Sequence, residues 1–148
     1  MTMERREMLL AATGLALAGA AVAATGEQAG GHDMPQHHHP GSSPVGDSAI
    51  HCVHTAELCQ AHCFDLLAKG NQALAACARS VTALEAVCHT LAILAAQNSP
   101  HLPHYAAVAK EVCKACEDEC RKHLEHPPCK ACADACAACA EECAKIAA

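Results

Sequence analysis

Aromatic residues are nearly missing from this chain: Phe64, Tyr105 and no Trp among 148 residues, about 1% of the total. An interior built here lacks the large rings that usually dominate core burial. Runs of Lys or Arg are also missing, and the net charge is −6. That balance, without stacking aromatics, excludes the electrostatic footprint and base platforms of a nucleic-acid binder. No segment alternates apolar and polar residues in the manner of a half-buried strand, so a sheet is not expected. Also lacking are a convincing nucleophile–base pair and a glycine-rich phosphate loop, and Glu117, Asp118 and Glu119 look like the solvated face of a helix. No enzyme is expected.

What the chain does have is alanine and cysteine. Apolar residues reach 52%, and 13 of them are Cys. Free cysteine packs as a small hydrophobe, so thiols must form much of the interior. The length suits one domain.

The first 24 residues read as an export signal, with Arg5-Arg6, an apolar stretch from Met8 to Ala21, and the small residues Ala21-Val22-Ala23 before a cleavage point. The stretch is shorter than the roughly 20 residues a spanning helix needs, so no retained membrane span is expected. Paired arginines followed by Met8-Leu9-Leu10 resemble a twin-arginine (Tat) leader, which exports folded proteins. Glu4 and Met8 stand where that motif usually has Ser or Thr and Phe, which leaves a general secretory leader open. Folded export suits a chain whose thiols would otherwise pair at random in an oxidising periplasm.

Residues 25–46 are rich in Gly, Pro, Ser and His and read as a flexible tail. His32 and His37-His38-His39 there are candidates for capturing Cu(II), or else a solvated tract. Residues 47–148 then divide into four helical segments. The first starts with Asp47 or Ser48 as N-cap and ends at Gly70; the second runs from Asn71 to Gln97. Asn98-Ser99-Pro100 breaks the chain, the third continues to about Glu125, and His126-Pro127-Pro128 separates it from the fourth, Pro128 to Ala148. Short links between helices of about 20 residues make them antiparallel neighbours. The expected fold is all-α: an up-down-up-down four-helix bundle with a cysteine-lined core.

The cysteines follow helical spacing. Cys129, Cys132, Cys136, Cys139 and Cys143 lie at intervals of 3, 4, 3 and 4, one stripe on the fourth segment. Cys113, Cys116 and Cys120 continue a stripe begun by Leu102, Ala106 and Ala109. Cys52, Cys59 and Cys63 share a face with Ala56 and Leu66, and Cys77 and Cys88 lie among Leu74, Val81, Leu84 and Leu91. All 13 are expected to face the bundle axis.

Burial as mere small core residues is the usual fate of one cysteine, not of 13 on four stripes. A disulfide framework is opposed by the odd count and by intrahelical neighbours whose parallel directions do not suit the disulfide torsion. Thiolates select soft metals: Cu(I), zinc or iron–sulfur clusters. Zinc needs tetrahedral quartets gathered across helices, into which 13 does not divide. Iron–sulfur clusters need ligands wrapped around them by irregular backbone. Cu(I) accepts two or three thiolates, so a line of shared thiols holds a line of ions, approaching about one per cysteine. A monovalent ion per thiolate also leaves the core nearly neutral.

The runs Cys113-x-x-Cys116-x-x-x-Cys120 and Cys129-Lys-Ala-Cys132-Ala-Asp-Ala-Cys136-Ala-Ala-Cys139-Ala-Glu-Glu-Cys143 resemble those of the bacterial copper storage proteins, over about residues 47–148. The leader resembles the exported branch of that family. The resemblance implies a periplasmic homotetramer that keeps Cu(I) for exported copper enzymes, such as those of membrane methane oxidation. Exported members are expected to guide copper with methionines at the bundle mouth, whereas beyond the leader only Met34 remains here, in the tail. The up-down order instead gathers His51, His54, His101 and His104 at one end as candidate entrance ligands, with His123 and His126 at the opposite end as the rival gate. Either set would otherwise be exposed polar residues near helix ends. Copper storage, delivery to an acceptor protein, and a sponge for mixed soft metals such as zinc and copper are the functions these residues leave open.

Overall fold

The computed structural model describes residues 43–148. The leader, most of the tail, His32, Met34 and His37 to His39 lie outside the described residues. Within them are four α-helices and no strand: α1 Pro44–Ala68, α2 Ala75–Ala96, α3 Leu102–Cys120 and α4 Pro127–Ile146. Each packs on its two neighbours in a ring, α1 on α2 and α4, α3 on α2 and α4. Short links turn each helix back along the last, so the bundle is antiparallel and up-down-up-down, as expected.

The helix ends follow local chemistry. α1 starts earlier than Asp47: Ser43 is its N-cap, accepting a hydrogen bond from the Gly46 N–H at 3.2 Å, and Pro44 occupies the first turn. Proline is tolerated there because that N–H has no helical partner in any case. Val45 and Gly46 are buried, so Ser43 to Gly46 belong to the bundle and not to the tail. A Cβ on Gly46 would sit 3.3 Å from that of Ala95, so glycine lets α1 approach α2 closely here.

Gly70, at φ 88°, closes α1 in a Schellman turn, with the Asn71 N–H donating to Leu66 and that of Gly70 to Leu67. Asn98, at φ 49°, closes α2 in the same way, with Ser99 donating to Leu94 and Asn98 to Ala95. A 3₁₀ turn, Gln72–Leu74, precedes α2, so its regular part begins four residues after Asn71. The third helix ends at Cys120 and tightens into a 3₁₀ turn, Arg121–His123, short of Glu125. Pro127 disfavours helical backbone at His126, which therefore caps α4 in extended conformation.

Leu74, Val81, Leu84 and Leu91 are the largest fully buried apolar side chains, and all lie on or just before α2. Gln72–Ala96 is long and apolar enough to cross a membrane by length and composition, with a mean hydropathy of 1.3. Its Leu and Cys stripe is turned into the bundle core. Apart from these residues and Val45, the apolar part of the described core is alanine and cysteine.

Candidate metal centre

All 13 cysteines are free thiols, and every one is fully buried at 0% exposure. The stripes therefore meet at the axis as the spacing requires. On α4 the inward face is wider than the thiol stripe alone, since Ala133, Ala135 and Ala140 are buried beside it. Alanine at these places lets the helices approach and leaves the central space to sulfur.

Contacts across helices join the stripes. Cys63 Sγ lies 3.7 Å from Cys77 Sγ, Cys77 3.7 Å from Cys120, Cys59 3.7 Å from Cys129, and Cys88 3.9 Å from Cys113. Along one helix, Cys116 and Cys120 are 3.9 Å apart. Four groups of sulfurs have all members within 4.8 Å of one another: Cys52, Cys88, Cys113 and Cys139; Cys59, Cys63, Cys77 and Cys129; Cys59, Cys120 and Cys132; and Cys116, Cys132 and Cys136. Cys143 lies one turn beyond Cys139 on α4 and is likewise fully buried. The structure thus does gather two quartets of sulfurs across helices, which weakens the sequence argument against zinc.

Burial and mutual hydrogen bonding set the proton affinities. Burial, then the neighbouring charge of Cys77, pushes the Cys63 thiol up to about 11. Cys77, Cys116 and Cys139 are driven the other way by interaction with neighbouring thiols, first those of Cys120, Cys120 and Cys113 respectively. Their neighbours are held protonated: Cys120 is raised first by Cys116, and Cys143 first by Cys139. Without metal, the thiols form a proton-sharing network in place of the protein–water bonds they lack.

The two bundle ends differ. At one, the first two turns of α1, the last of α2 and the first of α3 contain no cysteine, and only α4 carries a thiol into its terminal turn, the buried Cys143; Val45, Ala49, Leu91, Ala95 and Ala106 are buried there, with Leu102 and Ile146 packed against them. His51, His54, His101 and His104 lie at this apolar end, all exposed, and none joins a group of sulfurs. At the other end thiols reach the helix termini, Cys120 being the last residue of α3 and Cys129 the third of α4. His123 and His126 are half-buried here.

His62, which the spacing of the cysteines did not single out, joins them. Its ring centroid is 4.9 Å from that of His126, and its buried Nε2 has no hydrogen-bond partner. The only sequence signal was its position beside Cys63, three residues after Cys59. His123 Nε2 is 4.0 Å from a Glu119 carboxylate oxygen. Of the acidic residues expected on a solvated face, Glu117 pairs with Arg121 at 2.7 Å and Glu119 with Lys122 at 2.5 Å. Thr55 is the one buried polar residue in the described core, and its hydroxyl donates to the His51 and Cys52 carbonyls of its own helix.

Comparison with known proteins agrees with this geometry. The Cu(I)-bound copper storage protein BsCsp3 superposes with a TM-score of 0.64 at 29% identity, over 70% of this chain and 95% of that one. The copper-free copper storage protein 3 of Bacillus subtilis gives 0.63 at 30% identity, over 71% and 97%. An uncharacterized cysteine-rich Bacillus subtilis protein, YhjQ, is 34% identical over 103 residues, 69% of this chain and 92% of its own length. A family model described as copper storage protein matches residues 38–148. Thiol stripes, bundle and matched span coincide, and the chain belongs to the copper storage protein family.

Proposed function

We propose that the protein stores Cu(I) along its core, at about one ion per cysteine, for supply to copper-requiring enzymes outside the cytoplasm. The observation that carries this reading is the burial of all 13 sulfurs in one core, seven of them joined by contacts of 3.7 to 3.9 Å between helices. Cu(I) bound by two or three thiolates, each shared with the next ion, suits such a column. It also replaces one proton per thiol with one monovalent charge, so a filled core stays close to neutral. X-ray absorption of the loaded protein tests it: sulfur-only coordination with short copper–copper vectors is expected, and a shell dominated by nitrogen or oxygen contradicts it.

In this reading copper enters at the end where Cys63, Cys77, Cys120 and Cys129 approach the helix termini. The partnerless Nε2 of His62, with His126 beside it, supports this over the end of His51, His54, His101 and His104, where Cys143 is the one sulfur in a terminal turn and α1, α2 and α3 bury Val45, Leu91, Ala95 and Ala106 instead. His123 is the third imidazole at the thiol end.

A homotetramer is the assembly that the family resemblance suggests. Its support on this chain is the set of exposed apolar side chains Ile50, Leu58 and Phe64 on α1 and Ile93 on α2. Export to the periplasm rests on the leader sequence, and N-terminal sequencing of periplasmic protein should begin near residue 25; full-length cytoplasmic chain would refute it. Delivery and a mixed soft-metal sponge are the competing roles. Rapid transfer to an acceptor would favour delivery, and weak preference among soft metals would favour a sponge.

A further inference from the structure

Four of the thirteen sulfurs are arranged differently from a stripe. Cys52, Cys88, Cys113 and Cys139 come one from each helix, and their Sγ atoms all lie within 4.8 Å of one another. The Cys88–Cys113 edge is 3.9 Å. A flat square of that edge would have diagonals of about 5.5 Å, beyond the 4.8 Å limit, so the four are not spread in such a square and are close enough to surround a tetrahedral ion. Zinc–sulfur bonds of about 2.3 Å place tetrahedral sulfurs about 3.8 Å apart. The observed edge already matches.

We propose that this quartet, in the copper-free protein, is a binding site for one divalent tetrahedral cation of the zinc class. The proposal is independent of copper storage and concerns what the core holds before copper arrives. A d¹⁰ divalent ion takes four thiolate ligands without a redox step. Of the two quartets, this one shares no sulfur with another group, whereas Cys59 of the other also belongs to the group with Cys120 and Cys132. Binding at the unshared quartet therefore leaves the remaining groups intact.

Two consequences follow. One ion ligated from α1, α2, α3 and α4 together ties every helix to the axis, so occupancy raises the thermal stability of the copper-free bundle. A divalent ion with four thiolates carries a net charge of −2 in a dry core, which is costly. Cu(I), one per thiolate, removes that charge, so it displaces the divalent ion. The site is a provisional filling, exchanged on loading.

Anaerobic titration of the reduced, copper-free full chain with Co(II) tests this, because cobalt reports a tetrahedral thiolate shell directly in its visible d–d and sulfur-to-cobalt charge-transfer bands. At one equivalent the wild type should show these bands, Zn(II) should bleach them, Cys113→Ser should lose them, and Cys63→Ser should keep them. Absence of the bands in the wild type overturns the proposal outright, as does their loss in Cys63→Ser with retention in Cys113→Ser. Circular dichroism checks that each variant is folded, and Cys88→Ser replaces Cys113→Ser if the latter is not. Cu(I) capacity is read separately, so failure here leaves the storage reading standing and the reverse also holds.

Discussion

Cys59 and Cys129 lie 70 residues apart in sequence, yet their Sγ atoms are 3.7 Å apart across the α1–α4 interface. That contact joins two helical stripes, so that in the proposed storage core copper held at one stripe would find its next ligand on the other helix. Replacing Cys59 with Ser should lower Cu(I) capacity by about one equivalent while leaving the bundle folded, since a buried Ser hydroxyl can bond back to its own helix carbonyl. Unchanged capacity on titration of Cys59→Ser would show that this contact holds no copper.

The histidines predict a rate effect without a capacity effect. His62→Ala combined with His126→Ala should slow copper loading several-fold, measured by stopped-flow transfer from a coloured Cu(I) chelate, with the same final stoichiometry. Replacing His51, His54, His101 and His104 together should leave the rate unchanged. The opposite pattern would move the entrance to the apolar end.

Proton affinity gives a pH window. Cys63 is raised from 9.0 to about 11 in the folded chain, so the buried neutral thiol favours folding at every pH below 9. That contribution declines above 9 and is lost as pH passes through about 11, where the thiol must ionise inside the fold. The copper-free protein should therefore show a falling melting temperature between pH 9 and 11, by circular dichroism. The copper-loaded protein, whose thiols have already lost their protons, should be insensitive over the same range. Parallel curves for both forms would contradict this assignment.

Association through the outer face of α1 predicts a different outcome for surface changes. Leu58→Glu with Phe64→Glu, both at half-exposed positions, should dissociate the assembly by several-fold or more in dissociation constant, read by sedimentation. Copper capacity per chain should not change. An unaltered sedimentation coefficient would place the interface elsewhere.

Much of this architecture was legible in the sequence because helices write their period into it. Intervals of 3 and 4 between Cys129 and Cys143 specify one face, and Gly70 and Pro100 mark places where a helix cannot easily continue. The start of α1 was obscured because Ser43 and Pro44, a cap and a first-turn proline, look like the Ser- and Pro-rich tail before them. His62 was missed because it sits beside the thiol stripe, and its meeting with His126 is a tertiary fact. The quartets depend on the axial register between helices, which periodicity within one helix does not contain.

The most direct test of the storage core is an anaerobic titration of the reduced protein, lacking the leader, with Cu(I) against a coloured competing chelator. The account predicts tight binding that saturates near 13 equivalents per chain, one for each cysteine, and that collapses when the cysteines of α3 and α4 are replaced by serine. Saturation at about one to four equivalents would contradict a storage core and favour a chaperone or a dedicated zinc site.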